Sequence, residues 1–172
     1  MAPKPSTAKV RPLELTDSVE EITDLLHRSY LRNAQAGLRF LATHQDSSVT
    51  QERLAAGPSF VAELDGKIVG VVTLRFDIER PYGDYDPSHP IASFGQFGVD
   101  PECRGLRIGD LLLEQVERAA REAGCQELTL DTAQPATDLI VYYQRRGFMI
   151  VGQADWRPTT NYESWIMVKK LD

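Results

Sequence analysis

The chain reads as an α/β protein of the mixed α+β kind. We expect one domain with a mixed, mostly antiparallel sheet of six to seven strands, flanked by about four helices. Three observations lead there. The 172 residues suit one domain with a substantial core and leave no length for a second. The runs "SFVAEL" and "KIVGVVTLRF" flank Asp65-Gly66, a pair suited to the positive φ angles of a tight type I′ turn, so they form a hairpin. Downstream of Ile91, strand-like and helix-like periodicities alternate, which lays helices on the faces of a mixed sheet.

The elements follow in order. Residues 1–9 are expected to be a loose tail, and 10–172 the domain. The start "MAPKPSTAKV" has no hydrophobic stretch, so it does not read as a signal peptide. No apolar run approaches the ~20 residues that span a bilayer, and a cytoplasmic protein without membrane contacts is the expectation. "VRPLEL" (Val10 to Leu15) is a first strand. Asp17 precedes Glu20 by three residues, a capping-box spacing, and Val19, Ile22, Leu25, Leu26 and Tyr30 then recur on one helical stripe. Residues 33–46 are mixed, with short helical pieces. "SVTQERLAAG" is a small helix stopped by Gly57.

After the hairpin, residues 77–90 form a long loop rich in proline and acidic residues. "IASFGQFGV" is a strand in which Gly95 and Gly98 signal a bulge or a close backbone approach. A long helix from about Ile108 to Ala123 presents Leu112, Val116, Ala119 and Ala123 on one face. Its wet side carries the i,i+4 pairs Glu114–Arg118 and Glu117–Arg121. "CQELTLDT", "FMIVGQ" and "YESWIMVKKL" are strands, and "PATDLIVYYQRRG" is a helix with Pro135 near its first turn.

Composition excludes several functions. A formal charge of -6 argues against a surface that wraps nucleic acid, so any anionic ligand must be held by a local site. Cys103 and Cys125 make neither a disulfide framework nor a ligand cluster, and His27, His44 and His89 fall in no metal-binding spacing. No metal is expected.

The informative stretch is "VDPECRGLRIGDLLLEQVERAAREAG", from Val99 to Gly124. A helix N-terminus offers unpaired N–H groups and a positive partial charge to a phosphate. Gly105 and Gly109 remove side chains there, while Arg104 and Arg107 add cationic donors. The sequences GxxxxGK[ST] and GxGxxG are absent from the turn. On these residues alone, an anion cradle and a plain strand-to-helix connection both stand, because glycine turns before helices are common.

The same stretch resembles the acetyl-coenzyme A motif of the GCN5-related N-acetyltransferases, [RQ]-x-x-G-x-[GA] after a strand ending in V-x-P. Arg104 takes its first position and Gly109 its last, while Arg107 replaces the middle glycine. "LIVYYQRRGF" resembles the family's second motif, a tyrosine separated by three residues from a Gly-Phe pair. "RPLELTD" resembles its N-terminal start, so the similarity spans nearly the whole chain.

The resemblance implies a GNAT-like domain and acetyl-CoA as cosubstrate. It implies that backbone groups of Phe97, Gly98 and Val99 flank the pantetheine and acetyl group. It also implies that the turn Arg104, Gly105, Leu106, Arg107, Ile108 and Gly109 holds the pyrophosphate on its amides. Arg107 is then tolerated if its φ is negative, with its side chain along the cofactor or in water. Tyr143 matches the tyrosine that protonates the departing thiolate; packing on the face of Leu139 is the competing reading. Tyr142 is the weaker candidate.

Many family members carry a glutamate base where this chain has Ser93. That leaves Asp77, Glu79, Asp84, Asp86, His89 and Asp131 as candidate bases. The implied reaction is direct transfer to a primary amine of a small molecule or peptide, without a covalent intermediate on Cys103. An acyl-CoA-binding module without catalysis is the alternative, and a ligand-free interaction protein a third reading. The segment 77–87 is either a pocket wall for a cationic amine or a solvated loop. "ADWRPTTNYESW" reads as a substrate contact, a homodimer contact or an internally packed hairpin.

Overall fold

Alternation of apolar residues builds seven strands, and they join one sheet in the computed structural model, which describes residues 7–76 and 78–172. The strands are β1 (Lys9–Pro12), β2 (Ser59–Leu64), β3 (Lys67–Arg75), β4 (Ile91–Val99), β5 (Glu127–Ala133), β6 (Met149–Asp155) and β7 (Glu163–Lys170). Their order across the sheet is β1-β2-β3-β4-β5-β7-β6. Five helices accompany them: α1 (Val19–Ser29), α2 (Leu31–Gln35), α3 (Ser47–Leu54), α4 (Ile108–Glu122) and α5 (Thr137–Gln144). The first six residues of the expected tail lie outside the described residues, and Lys9 already pairs with Glu63 in β1.

The two faces of the sheet have separate cores because successive strand residues point to opposite sides. Phe60, Ala62, Val72 and Leu74 pack with Ile108, Leu112, Leu113, Val116 and Ala120 of α4. Val61 and Val71 pack with Ile22, Leu25 and Leu26 of α1 and Leu54 of α3. Each fully buried aliphatic side chain contributes roughly 1.5–3 kcal/mol, so these two layers fix both helices on the sheet. Ala123, expected on the inner face of α4, is the exposed cap residue at its end.

The expected hairpin is present, with Asp65 at φ 52° and Gly66 at φ 76°. The expected irregularity of β4 is also present, but at Gln96, whose φ is 49°. Register against β3 slips there, from Val71 opposite Gly98 to Thr73 opposite Gly95. This bulge turns β4 away from its neighbour on the other side.

That neighbour is β5, and the pair is the single parallel step in the sheet. Pairing covers only Ile91–Glu127, Ala92–Leu128 and Ser93–Thr129. Beyond Ser93, β4 stays bonded to β3 and β5 to β7, so their facing edges open like a V. Functional groups gather in that opening.

Candidate active site

On the α4 side of the opening lies a cavity of ≈ 410 Å³. Phe97, Val99, Arg104, Gly105, Arg107, Ile108, Gly109 and Tyr143 all line it, so the structure brings together most of the residues singled out in the sequence. None of the backbone N–H groups of Arg107, Ile108, Gly109 and Asp110 meets a protein acceptor among the described residues. No side chain caps this end of α4 either. Four aimed donors with no protein partner are the chemistry of an anion site, and they fit a phosphate.

Arg107 is in the left-handed conformation, with φ 58° and ψ 24°. The negative φ expected to make an arginine tolerable is absent; the turn keeps the glycine-like shape and the arginine adopts it. Its side chain is 76% exposed and its Nε donates to Asp110 at 3.2 Å. Arg146 donates to the other Asp110 oxygen at 2.6 Å. Burial pushes the Asp110 carboxyl up, but the bonds from Arg146 and Arg107 outweigh it and hold it below its ordinary range.

The glycines divide into two kinds. Gly105 has φ +82° and open space around it. At Gly109 a Cβ would stand 2.5 Å from the Tyr142 hydroxyl and 3.4 Å from the Phe97 ring, so a side chain there would fill the slot between α4 and α5. Gly98 turns its bare side toward Leu26 and Ser29 of α1 and does not line the slot. Leu106 is exposed and does not line it either.

The two tyrosines of α5 have different settings. Tyr142 lies under the Arg146 guanidinium, 3.5 Å from its ring centroid. Tyr143 is buried against Phe94, Phe97 and Phe148. Burial pushes its phenol well above the ordinary range, and nearby Tyr30, Tyr142 and Asp131 push the same way. Among the described residues no protein group bonds its hydroxyl. Sequence reasoning passed over Tyr30, whose hydroxyl donates to the Phe97 carbonyl at 2.7 Å across the bulge.

A second, larger cavity of ≈ 1080 Å³ lies on the other side of the opening. Tyr30, Phe97, Leu139 and Tyr143 line both cavities, so the two meet at these four side chains. The loop after β3 forms part of its wall, bringing Tyr82 into the protein rather than leaving the whole segment solvated. The Tyr82 hydroxyl donates to Asp131 of β5, and Trp156 Nε1 donates to the other Asp131 oxygen at 3.2 Å. Trp156 therefore packs inward against Tyr82 while keeping one edge exposed. Ser93 is fully buried, with its hydroxyl 3.4 Å from that of Tyr82.

The candidate bases separate by position. Asp77 lies outside the described residues. His89 sits 2.9 Å from Glu127 at the closed end of the strand pair, and neither His89 nor Asp86 lines a cavity. Asp84 accepts from the backbone N–H of Gln153 at 2.6 Å, and Glu79 is exposed. Asp131 is the carboxylate held on the open strand edge between both ring donors. Cys103 lines the smaller cavity, but burial, then Asp100 and Glu102, push its thiol above the ordinary range, away from a nucleophilic thiolate.

A family model described as the acetyltransferase (GNAT) family matches residues 19–148. Among curated proteins, the chain is 28% identical over 145 residues to an S-(2-succino)cysteine N-acetyltransferase of Bacillus subtilis, covering 83% of this chain and 86% of that protein. It is 26% identical over 141 residues to an S-alkylcysteine N-acetyltransferase of the same organism, covering 80% and 77%. Among solved structures, a GNAT family acetyltransferase from Elizabethkingia anophelis with acetyl-CoA bound superposes with a TM-score of 0.66 at 15% identity, covering 96% of this chain and 99% of that one.

Proposed function

This chain belongs to the acetyltransferase (GNAT) family, and from that premise we propose that it transfers the acetyl group of acetyl-CoA directly to a primary amine of a small molecule or peptide. The observation that carries the proposal is the meeting of two cavities at Tyr30, Phe97, Leu139 and Tyr143. One cavity has the unpartnered amides at the start of α4 and suits a phosphate-bearing donor. The other suits an acceptor, and the two reactants meet where Tyr143 stands. The curated relatives named for N-acetylation of cysteine derivatives support the small-molecule end of the range.

The chemistry assigned to the chain is then limited. The thioester supplies an activated acyl carbon. Asp131 takes the proton that an ammonium must lose before its nitrogen can attack, its two ring donors fixing the carboxylate in place. Backbone N–H groups at the bulged end of β4 polarise the carbonyl oxygen. The neutral nitrogen bonds to the acyl carbon, the carbon–sulfur bond breaks, and the Tyr143 phenol gives its proton to the leaving sulfur; the nitrogen sheds its surplus proton to solvent, and the phenolate regains one from solvent. Burial raises the Tyr143 pKa, so the phenol holds its proton until the sulfur leaves.

Release of free thiol from acetyl-CoA across a panel of amines tests the reading. Tyr143→Phe is expected to lower kcat by about 10²- to 10³-fold while leaving acetyl-CoA affinity within about threefold. An unchanged kcat would remove Tyr143 from the proton transfer. Ser93, standing where the family resemblance implies a glutamate, favours a second reading, an acyl-CoA-binding module without catalysis. Tight acetyl-CoA binding with no thiol release from any amine would establish that reading instead.

A further inference from the structure

We propose that Arg53 and Arg75 bind a carboxylate of the acceptor, so that the substrate is an amine that also carries an acid group, of the amino-acid type. The inference rests on the acceptor assignment of the larger cavity above. Arg53 comes from α3 and Arg75 from the end of β3, and both line that cavity. Among the described residues, neither guanidinium has a carboxylate within 4 Å. Arg53 makes one neutral bond, Nη1 to Gln45 Oε1 at 2.6 Å. The Nε of Arg75 is buried and has no acceptor among the described residues.

Two cations in one partly buried cavity wall, near enough for the charge of Arg75 to act on Arg53, repel each other and lose hydration, a combination that folding alone disfavours. Burial holds the Arg53 guanidinium below its ordinary range; nearby Tyr30 opposes that, the charge of Arg75 adds to it, and Asp131 and Tyr162 oppose it in turn. An anion shared between them removes both costs, and a carboxylate matches the planar fork of guanidinium donors. The acids of the same wall do not fill this role. Asp155 and Glu163 pair with Arg157, Asp84 accepts from Gln153, and Asp131 accepts from Tyr82 and Trp156. Glu79 is exposed and forms no ion pair among the described residues.

The placement also orients the acceptor. Arg53 Nη2 lies 3.7 Å from where a Cβ of Gly95 would stand, two residues before Phe97 on β4. A carboxylate held there puts a neighbouring amine toward the meeting point of the cavities, with Asp131 on the opposite strand edge. Arg53 and Arg75 thus select and position the acceptor without touching the reacting thioester.

Paired acceptors differing only in the acid group test this. L-Methionine and L-methioninamide, with three further amino acids and their carboxamides, are compared as substrates of the parent protein and of Arg53→Gln, Arg75→Gln and Arg53→Lys. The parent is expected to favour the acids, and Arg53→Gln to lower kcat/KM for them by roughly 10- to 100-fold. The amides should change little, Arg53→Lys should recover part of the loss, and acetyl-CoA affinity should stay constant. Equal use of acids and amides by the parent, or equal loss of both in Arg53→Gln, would overturn the proposal. Calorimetric binding of N-acetyl-L-methionine to the protein with coenzyme A supplies a readout that needs no turnover. Binding that is lost on amidation and in Arg53→Gln upholds the carboxylate site even if no amine is acetylated, in which case the transfer reading alone fails. Equal binding of acid and amide would again overturn it.

Discussion

Arg107 carries backbone strain at the centre of the candidate donor site. A side chain in the left-handed region costs about 1–3 kcal/mol relative to a relaxed residue, and a glycine there avoids that cost but gives back about 0.5–1 kcal/mol through a freer unfolded chain. The Arg107–Asp110 contact adds little, since the arginine is largely in solvent. Arg107→Gly should therefore leave stability unchanged or raise it by up to about 2.5 kcal/mol, measured as the urea midpoint. Acetyl-CoA affinity should stay within about threefold, because the amides of residues 107–110 persist without the side chain. A tenfold loss would show the guanidinium itself gripping the phosphates. The sequence identified this position as unusual, since an arginine replaces a motif glycine. It did not reveal the sign of φ, because nothing in a one-dimensional pattern says whether a turn has relaxed to suit its residue or the residue has been bent to suit the turn.

At the scale of an element, the entry to α1 differs from its sequence pattern in an instructive way. The Asp17 and Glu20 spacing suggests a capping box, yet Ser18 is the cap, accepting from the Glu21 N–H at 3.2 Å. Asp17 is occupied elsewhere: both its oxygens take Arg11 Nη atoms at 2.8 Å, and one also takes the Glu14 N–H. The pair ties β1 to the start of α1. Asp17→Asn should cost about 1–2 kcal/mol at neutral pH. The bond from Arg11 holds the Asp17 carboxyl below its ordinary range against the opposing effect of burial. Its stabilisation is thus complete above the unfolded pKa of about 4 and is lost as pH falls through the lower folded value. Urea unfolding at pH 7, 5 and 3 should show the two proteins converging at the acid end; a constant gap would deny the ion pair its role. Glu117 behaves similarly: expected to pair along α4 with Arg121, it accepts from Lys169 of β7 at 2.7 Å. Local spacing shows which partners are within reach on one helix, whereas tertiary packing offers competitors from distant strands.

For the whole molecule, the decisive feature is one continuous sheet in which β4 and β5 pair at one end and part toward the other. The strands, most helices and the α4 turn were legible because each is written in contiguous residues as a period or a motif. The larger cavity was not, since Arg53, Arg75, Tyr82, Asp131 and Trp156 come from five separate segments with no fixed spacing. A parted sheet also gives the ligand a measurable thermodynamic role. Acetyl-CoA that binds only the folded chain stabilises it by about 2.7 kcal/mol at a free concentration of 100 Kd. In a chain of this size that raises Tm by roughly 5–11 °C. Gly109→Val puts side-chain atoms where the Tyr142 hydroxyl and the Phe97 ring now stand, so it should lower the ligand-free Tm by a few degrees and remove most of the ligand-induced rise. Leu106→Ala, at an exposed position outside the slot, should keep the full rise. Raising salt should shrink the rise in the parent, because charges at an open slot mouth are screened over about 8 Å at physiological ionic strength. A Gly109→Val protein with an undiminished rise would place the donor elsewhere than the start of α4, and the V between β4 and β5 would then need another occupant.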